Sequence, residues 1–215
     1  MDNELATTER AQDAQRLQAL AAEVLRLAGA RGASQAEVSI TEDSGLAVNV
    51  RMGEVETVER TRDRGVALTV YFGQRKASAS TADLQPGSLV ATVEQACAIA
   101  RFTEADPAAG LAEAGLMAPE VADFDQWHPW HLDAEAAIAL ALSAEARGRS
   151  HDPRISNSDG AAVNTGQSIS AYANSHGFSG FERSTSHSIS CSISSIFSVS
   201  EARYCLDQRS TCLAT

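Results

Sequence analysis

The side chains in this sequence that most readily bind a metal ion are five histidines: His128, His131, His151, His176 and His187. His128 and His131 are the closest pair, but Pro129 between them opposes the regular helix that would bring both to one face. A structural zinc site needs four ligands, and no third ligand lies nearby in the sequence. The pair is more simply explained as loop histidines beside the anchoring residues Trp127 and Trp130. We predict no metal site in this chain.

A polar turn followed by an aromatic residue is the second candidate for function. It consists of Asn174, Ser175, His176, Gly177 and Phe178. Asn and Gly favour turns because both tolerate positive φ angles. Two explanations stay open: a hairpin turn whose Phe packs in the core, or a turn that faces a partner subunit or a bound peptide. We keep these five residues as candidate peptide-facing or partner-facing positions.

Motifs assign no catalytic residue. The sequence contains neither HExxH nor HExxxH, in which two histidines on one helix face bind zinc and the glutamate activates water. It also lacks the GxSxG nucleophile elbow and the glycine-rich phosphate motifs. Cys97 falls on the apolar stripe of a predicted helix, so we expect a buried, unreactive core residue.

Composition indicates a soluble cytoplasmic protein. The chain has 215 residues, of which 44% are hydrophobic and 21% charged, enough for one good core or two small ones. A net charge of −11 argues against nucleic acid as a partner, because phosphate binding needs clustered Lys and Arg. No apolar run approaches the ~18 residues of a membrane span. We therefore expect no membrane partner. The cysteines form no CxxC pair, so reduced thiols are expected.

Three helices and a series of strands must position these residues. One helix is predicted at residues 8–28, a second begins at Pro86, and Asp133 caps a third. Period-two alternation predicts an antiparallel meander of five strands: Val38–Thr41, Leu46–Arg51, Val55–Thr61, Val66–Phe72 and Lys76–Ser80. Structural turns are predicted at Gly53, Gly65, Gly73 and Gly160.

The predicted fold class is α+β: an N-terminal antiparallel sheet meander packed with helices, followed by an incomplete second β-rich segment. We divide the chain into an N-terminal α+β domain at residues 1–105 and a connector at 106–132. Residues 133–192 form a helix and the start of a second, β-rich domain, and residues 193–215 are a divergent tail.

Three segments together carry a family resemblance. They are GEVETVERTRDRGVALTVYFGQRKASAST, ACAIARFTEADPAAGLAE, and DPRISNSDGAAVNTGQSISAYANSHGF with SHSISCS after it. They resemble the TldD/PmbA family (peptidase U62, once called modulators of DNA gyrase), and are closer to its PmbA, or TldE, branch. The resemblance covers roughly Ala36 to Ser192.

The resemblance implies a part in a metallopeptidase heterodimer, in which a TldD-like subunit carries zinc on an HExxxH helix. This chain would be the N-terminal part of the zinc-free subunit, with no cofactor of its own and no activity alone. It would pair with the zinc-bearing subunit and help to bind unfolded peptides, and an exposed sheet edge could accept an extended peptide. The alternatives are a non-enzymatic interaction or regulatory module, or an independent hydrolase.

The last residues, ISSIFSVSEARYCLDQRSTCLAT, carry no resemblance. Family members are normally longer, so the resemblance implies a truncated chain, and a shifted reading frame near Ser194 would explain the break. An incomplete second sheet would expose apolar surface and unpaired edges, so we expect aggregation or poor expression.

Overall fold

The computed structural model describes residues 2–118, 121–195 and 204–205. Its elements are α1 Asp2–Ala30, β1 Gln35–Arg51, β2 Glu54–Phe72, β3 Arg75–Thr81, α2 Pro86–Ala100, a 3₁₀ turn Ala114–Leu116, α3 Ala134–Ser150, β4 Ile155–Asn174, β5 Ser179–Ser195 and β6 Tyr204–Cys205. The strands form one sheet in the order β3-β2-β1-β4-β5-β6. The α+β fold class is confirmed. No helix in the described part is long and apolar enough to cross a membrane.

The three predicted helices are all present. In α1 the stripe Leu17, Ala21, Val24 and Ala28 is completely or almost completely buried, and a fully buried Leu or Val contributes about 1.5–3 kcal/mol relative to exposure. Helix α2 begins at Pro86, as predicted. The Asp133 carboxylate caps α3 by accepting a hydrogen bond from the Ala136 amide at 2.7 Å. Burial raises the pKa of the Cys97 thiol, as expected for a core residue.

The predicted five-strand meander is wrong in its segmentation. Residues 35–51 form one strand and residues 54–72 another, so the chain does not turn at residues 42–45 or at Gly65. Gly45 lies within β1, where a Cβ would come within 3.1 Å of the Thr61 hydroxyl and 3.2 Å of the Thr165 carbonyl oxygen, so glycine suits this close approach. The polar sequence TEDSG resembles a turn locally, but pairing with neighbouring strands keeps it extended.

The second β-rich segment does not form a separate sheet, because β4 pairs beside β1 in the same sheet. Gly160 lies within β4 rather than in a turn, yet it has a φ of +108°. A Cβ at this position would lie 2.4 Å from the Val50 carbonyl oxygen, so only glycine fits without a shift of main chain. Most of the predicted tail, residues 196–203 and 206–215, lies outside the described residues.

The chain divides into two compact units, each assembled from separate stretches of sequence rather than from consecutive domains. The first comprises the segment up to Asp43, Asp63–Gln126 and Ser168–Arg183, and the second comprises Ser44–Arg62, Trp127–Gln167 and the described residues from Ser184 onward. The long strands produce this arrangement because β1 and β2 each contribute residues to both units.

Each unit has its own apolar core. In the first unit α1 and α2 pack on the buried residues of β1 and β2, including Val38, Ile40 and Leu68. In the second unit Ala137 and Ala141 of α3 lie against Leu46, Val48 and Val50. Small residues let α3 approach closely, and a Cβ on Gly148 would meet the Cys191 sulfur at 3.1 Å.

The hairpin between β1 and β2 is held by a buried carboxylate. Met52 and Gly53 both have positive φ angles, 52° and 84°, as in the type I′ turn that suits twisted hairpins. Glu145 of α3 is only 1% exposed. Its two carboxylate oxygens accept the Met52 amide at 2.7 Å and the Gly53 amide at 2.8 Å. Burial raises the pKa of Glu145, but hydrogen bonds from Ser158, Gly53 and Met52 outweigh it and hold the pKa below its ordinary value.

Replacing this carboxylate, Glu145→Gln, should destabilise the chain at neutral pH by about 1–3 kcal/mol, because the amide turns an N–H toward one of the two backbone donors. A carboxyl whose folded pKa is lowered adds stability above its unfolded pKa of about 4.3 and loses it as the pH falls through the folded value. Urea unfolding of the original chain and of Glu145→Gln should be measured across this pH range. The difference between their free energies of unfolding should narrow as the solution becomes acidic.

Glu104 is exposed, so Glu104→Gln is the control, and it should change the free energy of unfolding little at any pH. A Glu145→Gln effect that is no larger than the control, or that stays constant down to acidic pH, would contradict a structural role for this carboxylate.

Candidate functional site

The candidate turn forms the β4–β5 hairpin and belongs to the first unit. The Asn174 side chain, 3% exposed, organises it: its carboxamide oxygen accepts the amides of His176 at 3.0 Å and of Phe178 at 3.4 Å. The main-chain N–H of Asn174 donates to the Phe178 carbonyl oxygen at 3.0 Å, and Gly177 has a φ of +91°. Ser175 and Gly177 are left exposed at the tip, whereas Phe178 is half-buried beside the Tyr172 ring.

Two further contacts fix the turn to other elements of the first unit. Ser175 exchanges two hydrogen bonds with Ala36 at the start of β1, through its amide and its hydroxyl. His176 donates from Nδ1 to the Ala112 carbonyl at 2.9 Å, so its Nε2 is the acceptor for the Gln35 side-chain amide at 3.2 Å. The His176 ring therefore joins β1, the turn and the connector, and its two nitrogens both have partners.

A carboxylate with two phenols lies beside this turn. Glu37 accepts the hydroxyls of Tyr71 and Tyr172, each at 2.8 Å, and thereby joins β1, β2 and β4. Burial and the Glu37 hydrogen bond raise the pKa of Tyr71 to about 12, and burial also raises the pKa of Tyr172. Both phenols remain protonated donors at neutral pH. Motifs gave no indication of this group, which depends on contacts between distant strands.

The histidine pair of the connector lies in the second unit, where the main chain of His128 contacts β5. His187 of β5 donates from Nε2 to the His128 carbonyl and accepts at Nδ1 from the Thr165 hydroxyl, both at 2.8 Å. Trp130 packs edge-on against the His187 ring, with centroids 5.6 Å apart. Trp130 is thus an anchor, as predicted. Within the part of the chain that the structure describes, no three His, Cys, Asp or Glu side chains are grouped so as to hold a metal ion.

The geometry positions main chain rather than reactive groups. Across the described residues, no buried side-chain nitrogen or oxygen lacks a hydrogen-bond partner. The buried or half-buried polar side chains Glu37, Glu145, Asn174 and His176 each hold a strand, a turn or the connector in place. Of these, the sequence indicated Asn174 and His176 as candidate site residues; their predicted exposure to a peptide or partner stays a prediction.

Comparison with protein families gives two matches in chain order. Residues 36–100 match the domain described as PmbA/TldA metallopeptidase domain 1, and residues 127–201 match the PmbA/TldA metallopeptidase central domain. A metalloprotease PmbA homolog from Haemophilus influenzae is 42% identical over 169 residues, which are 79% of this chain and 37% of that protein. Metalloprotease PmbA from Escherichia coli O157:H7 is 41% identical over 155 residues, which are 72% of this chain and 34% of that protein.

Solved structures share the fold. A candidate modulator of DNA gyrase from Bacteroides thetaiotaomicron aligns with a TM-score of 0.76 at 23% identity, covering 86% of this chain and 42% of that one. TldE from Thermococcus kodakarensis aligns with a TM-score of 0.67 at 13% identity, covering 85% of this chain and 40% of that one. This chain therefore spans little more than a third of the length of the relatives it matches in sequence. On the two domain matches and the identity to PmbA proteins, it belongs to the PmbA/TldD metallopeptidase family.

Proposed function

We propose that this chain is the N-terminal part of the non-catalytic, zinc-free subunit of a TldD/TldE-type metallopeptidase complex. It pairs with a zinc-bearing subunit in the cytoplasm and helps to bind unfolded peptides for proteolysis and peptide maturation. The observation that carries the proposal is the match to two successive domains of a metallopeptidase family, together with 42% and 41% identity to PmbA proteins. The proposal assigns the zinc ion to the partner subunit.

The β4–β5 turn supplies the contact with peptide in this proposal. Asn174, Ser175 and His176 hold the turn to β1 and the connector, so its exposed tip is already ordered. A surface that is ordered before binding avoids part of the entropy cost of association. Ser175 and Gly177 are exposed at the tip and carry little side chain, so a peptide can approach the turn closely.

Mixing the two subunits tests the proposal. A TldD-like subunit bearing HExxxH should bind this chain in a pull-down, and the mixture should degrade an unstructured peptide faster than the zinc-bearing subunit does by itself. Replacing the HExxxH glutamate by Gln should abolish degradation by the mixture, because that residue activates the water. Failure to associate, or degradation no faster than with the zinc-bearing subunit alone, would favour the alternative of a non-enzymatic interaction module.

The turn can be tested separately with Gly177→Asn. Asparagine tolerates the positive φ of this position, so the turn should persist while a side chain now occupies the tip. We expect peptide binding by the mixed complex to weaken several-fold, measured by fluorescence anisotropy of a labelled unstructured peptide.

Gly73→Asn is the matched control. Gly73 also has a positive φ, in the β2–β3 turn of the same unit, and neither glycine has an atom within 4 Å of its would-be Cβ. Equal losses of peptide affinity in the two variants, or no loss in either, would remove the β4–β5 turn from the proposal.

A further inference from the structure

The connector holds an apolar residue beside the β4–β5 turn. Leu116 lies in the 3₁₀ turn of the connector and is 76% exposed. Before it, the Ala112 carbonyl accepts the Nδ1–H of His176 at 2.9 Å. After it, the Met117 sulfur accepts a side-chain N–H of Asn174 at 3.5 Å. The chain on both sides of Leu116 therefore contacts the β4–β5 turn, and all of these residues belong to the first unit.

Two further apolar side chains lie beside the same turn. A Cβ on Gly180 would come within 3.1 Å of Val121 Cγ2 and 3.2 Å of Phe178 Cε1, so both side chains lie over this glycine of β5. Val121 is 46% exposed and Phe178 is half-buried. We call Leu116, Val121 and Phe178 the turn patch. A single exposed apolar residue is ordinary, but several beside one ordered turn indicate a contact surface.

An acidic residue borders the turn patch. Glu113 is exposed, and its carbonyl accepts the Leu116 amide at 2.8 Å. Residues three apart in a 3₁₀ turn lie roughly 6 Å apart on one side of it. The sequence around them is acidic as well, since residues 102–126 contain six Asp or Glu and no Lys or Arg. A cationic side chain that approaches Leu116 therefore meets a negative field, which physiological salt screens beyond about 8 Å.

We infer that the turn patch selects unfolded peptides that carry an apolar residue two positions from a Lys or Arg. The apolar side chain packs on Leu116, and the cation pairs with Glu113. Side chains two apart on an extended peptide lie on the same face, roughly 7 Å apart, which is close to the separation of Leu116 and Glu113. The inference rests on the proposed function, because it names the class of peptide that the β4–β5 turn would contact.

Fluorescence anisotropy of labelled peptides tests this selection. The mixed complex contains this chain and a zinc-bearing subunit whose HExxxH glutamate is replaced by Gln, so that the peptide stays intact. The first probe is a Gly/Ser peptide with Lys-Ser-Leu-Ser-Lys at its centre, which offers the same spacing in either chain direction. It should bind at least about tenfold tighter than the second probe, which has Ser in place of Leu.

Two substitutions in the connector should weaken the selection. Leu116→Ala should lower the affinity for the first probe about fivefold and leave that for the second probe unchanged, because the lost contact requires the leucine of the peptide. Glu113→Gln should remove most of the advantage of the two lysines, which is measured with a third probe that has Ser in their place. The same advantage should disappear at about 1 M salt, where screening acts over only about 3 Å.

Phe102→Ala is the matched control, because Phe102 is an apolar residue of the same unit that is 91% exposed just after α2. It should leave all three affinities unchanged, and circular dichroism establishes that each variant is folded. Three results would overturn the inference and leave the proposed function standing: equal affinity for the first two probes, equal losses in Leu116→Ala and Phe102→Ala, or a full lysine advantage in Glu113→Gln. Binding of no probe by the mixed complex would overturn both.

Discussion

Strand β1 is the constraint on which the rest of the structure depends. Every buried side chain of this seventeen-residue strand falls at an even position, from Ala36 to Val50. It lies between β2 and β4 in the sheet and supplies buried residues to the cores of both compact units. A slip of one residue in its pairing would turn all of these side chains to the opposite face. The turn and hairpin contacts described above all attach to this strand or to its immediate neighbours.

Local sequence patterns were sufficient to predict the helices but insufficient to predict where the strands begin and end. The stripe of α1, Pro86 and the Asp133 cap were predictable because a helix is decided within a few residues of chain. The two long strands were predicted as four because TEDSG and Arg64-Gly65 have turn composition. Whether such a segment turns or stays extended depends on its partners, and for Gly45 those include Thr165, far away in the sequence.

The candidate site was predictable only in part, because turn composition is local whereas most of the site's contacts join distant residues. Asn174 and His176 were indicated by the turn composition around Gly177. The Glu37 contacts with Tyr71 and Tyr172, and the Glu145 contact with the Met52-Gly53 turn, join residues between 34 and 135 positions apart. Only the three-dimensional pairing of strands brings these groups together. A glutamate at an odd position of β1, opposite in phase to the buried residues, was the sole local sign that Glu37 has a polar role.

We propose that this chain supplies scaffold and recognition while another polypeptide cleaves the peptide bond. The most direct test is to incubate the purified chain by itself with casein or a flexible oligopeptide, with added zinc and with EDTA, and to follow new amino termini. We expect no hydrolysis under either condition. Hydrolysis that requires zinc and stops with EDTA would contradict the account.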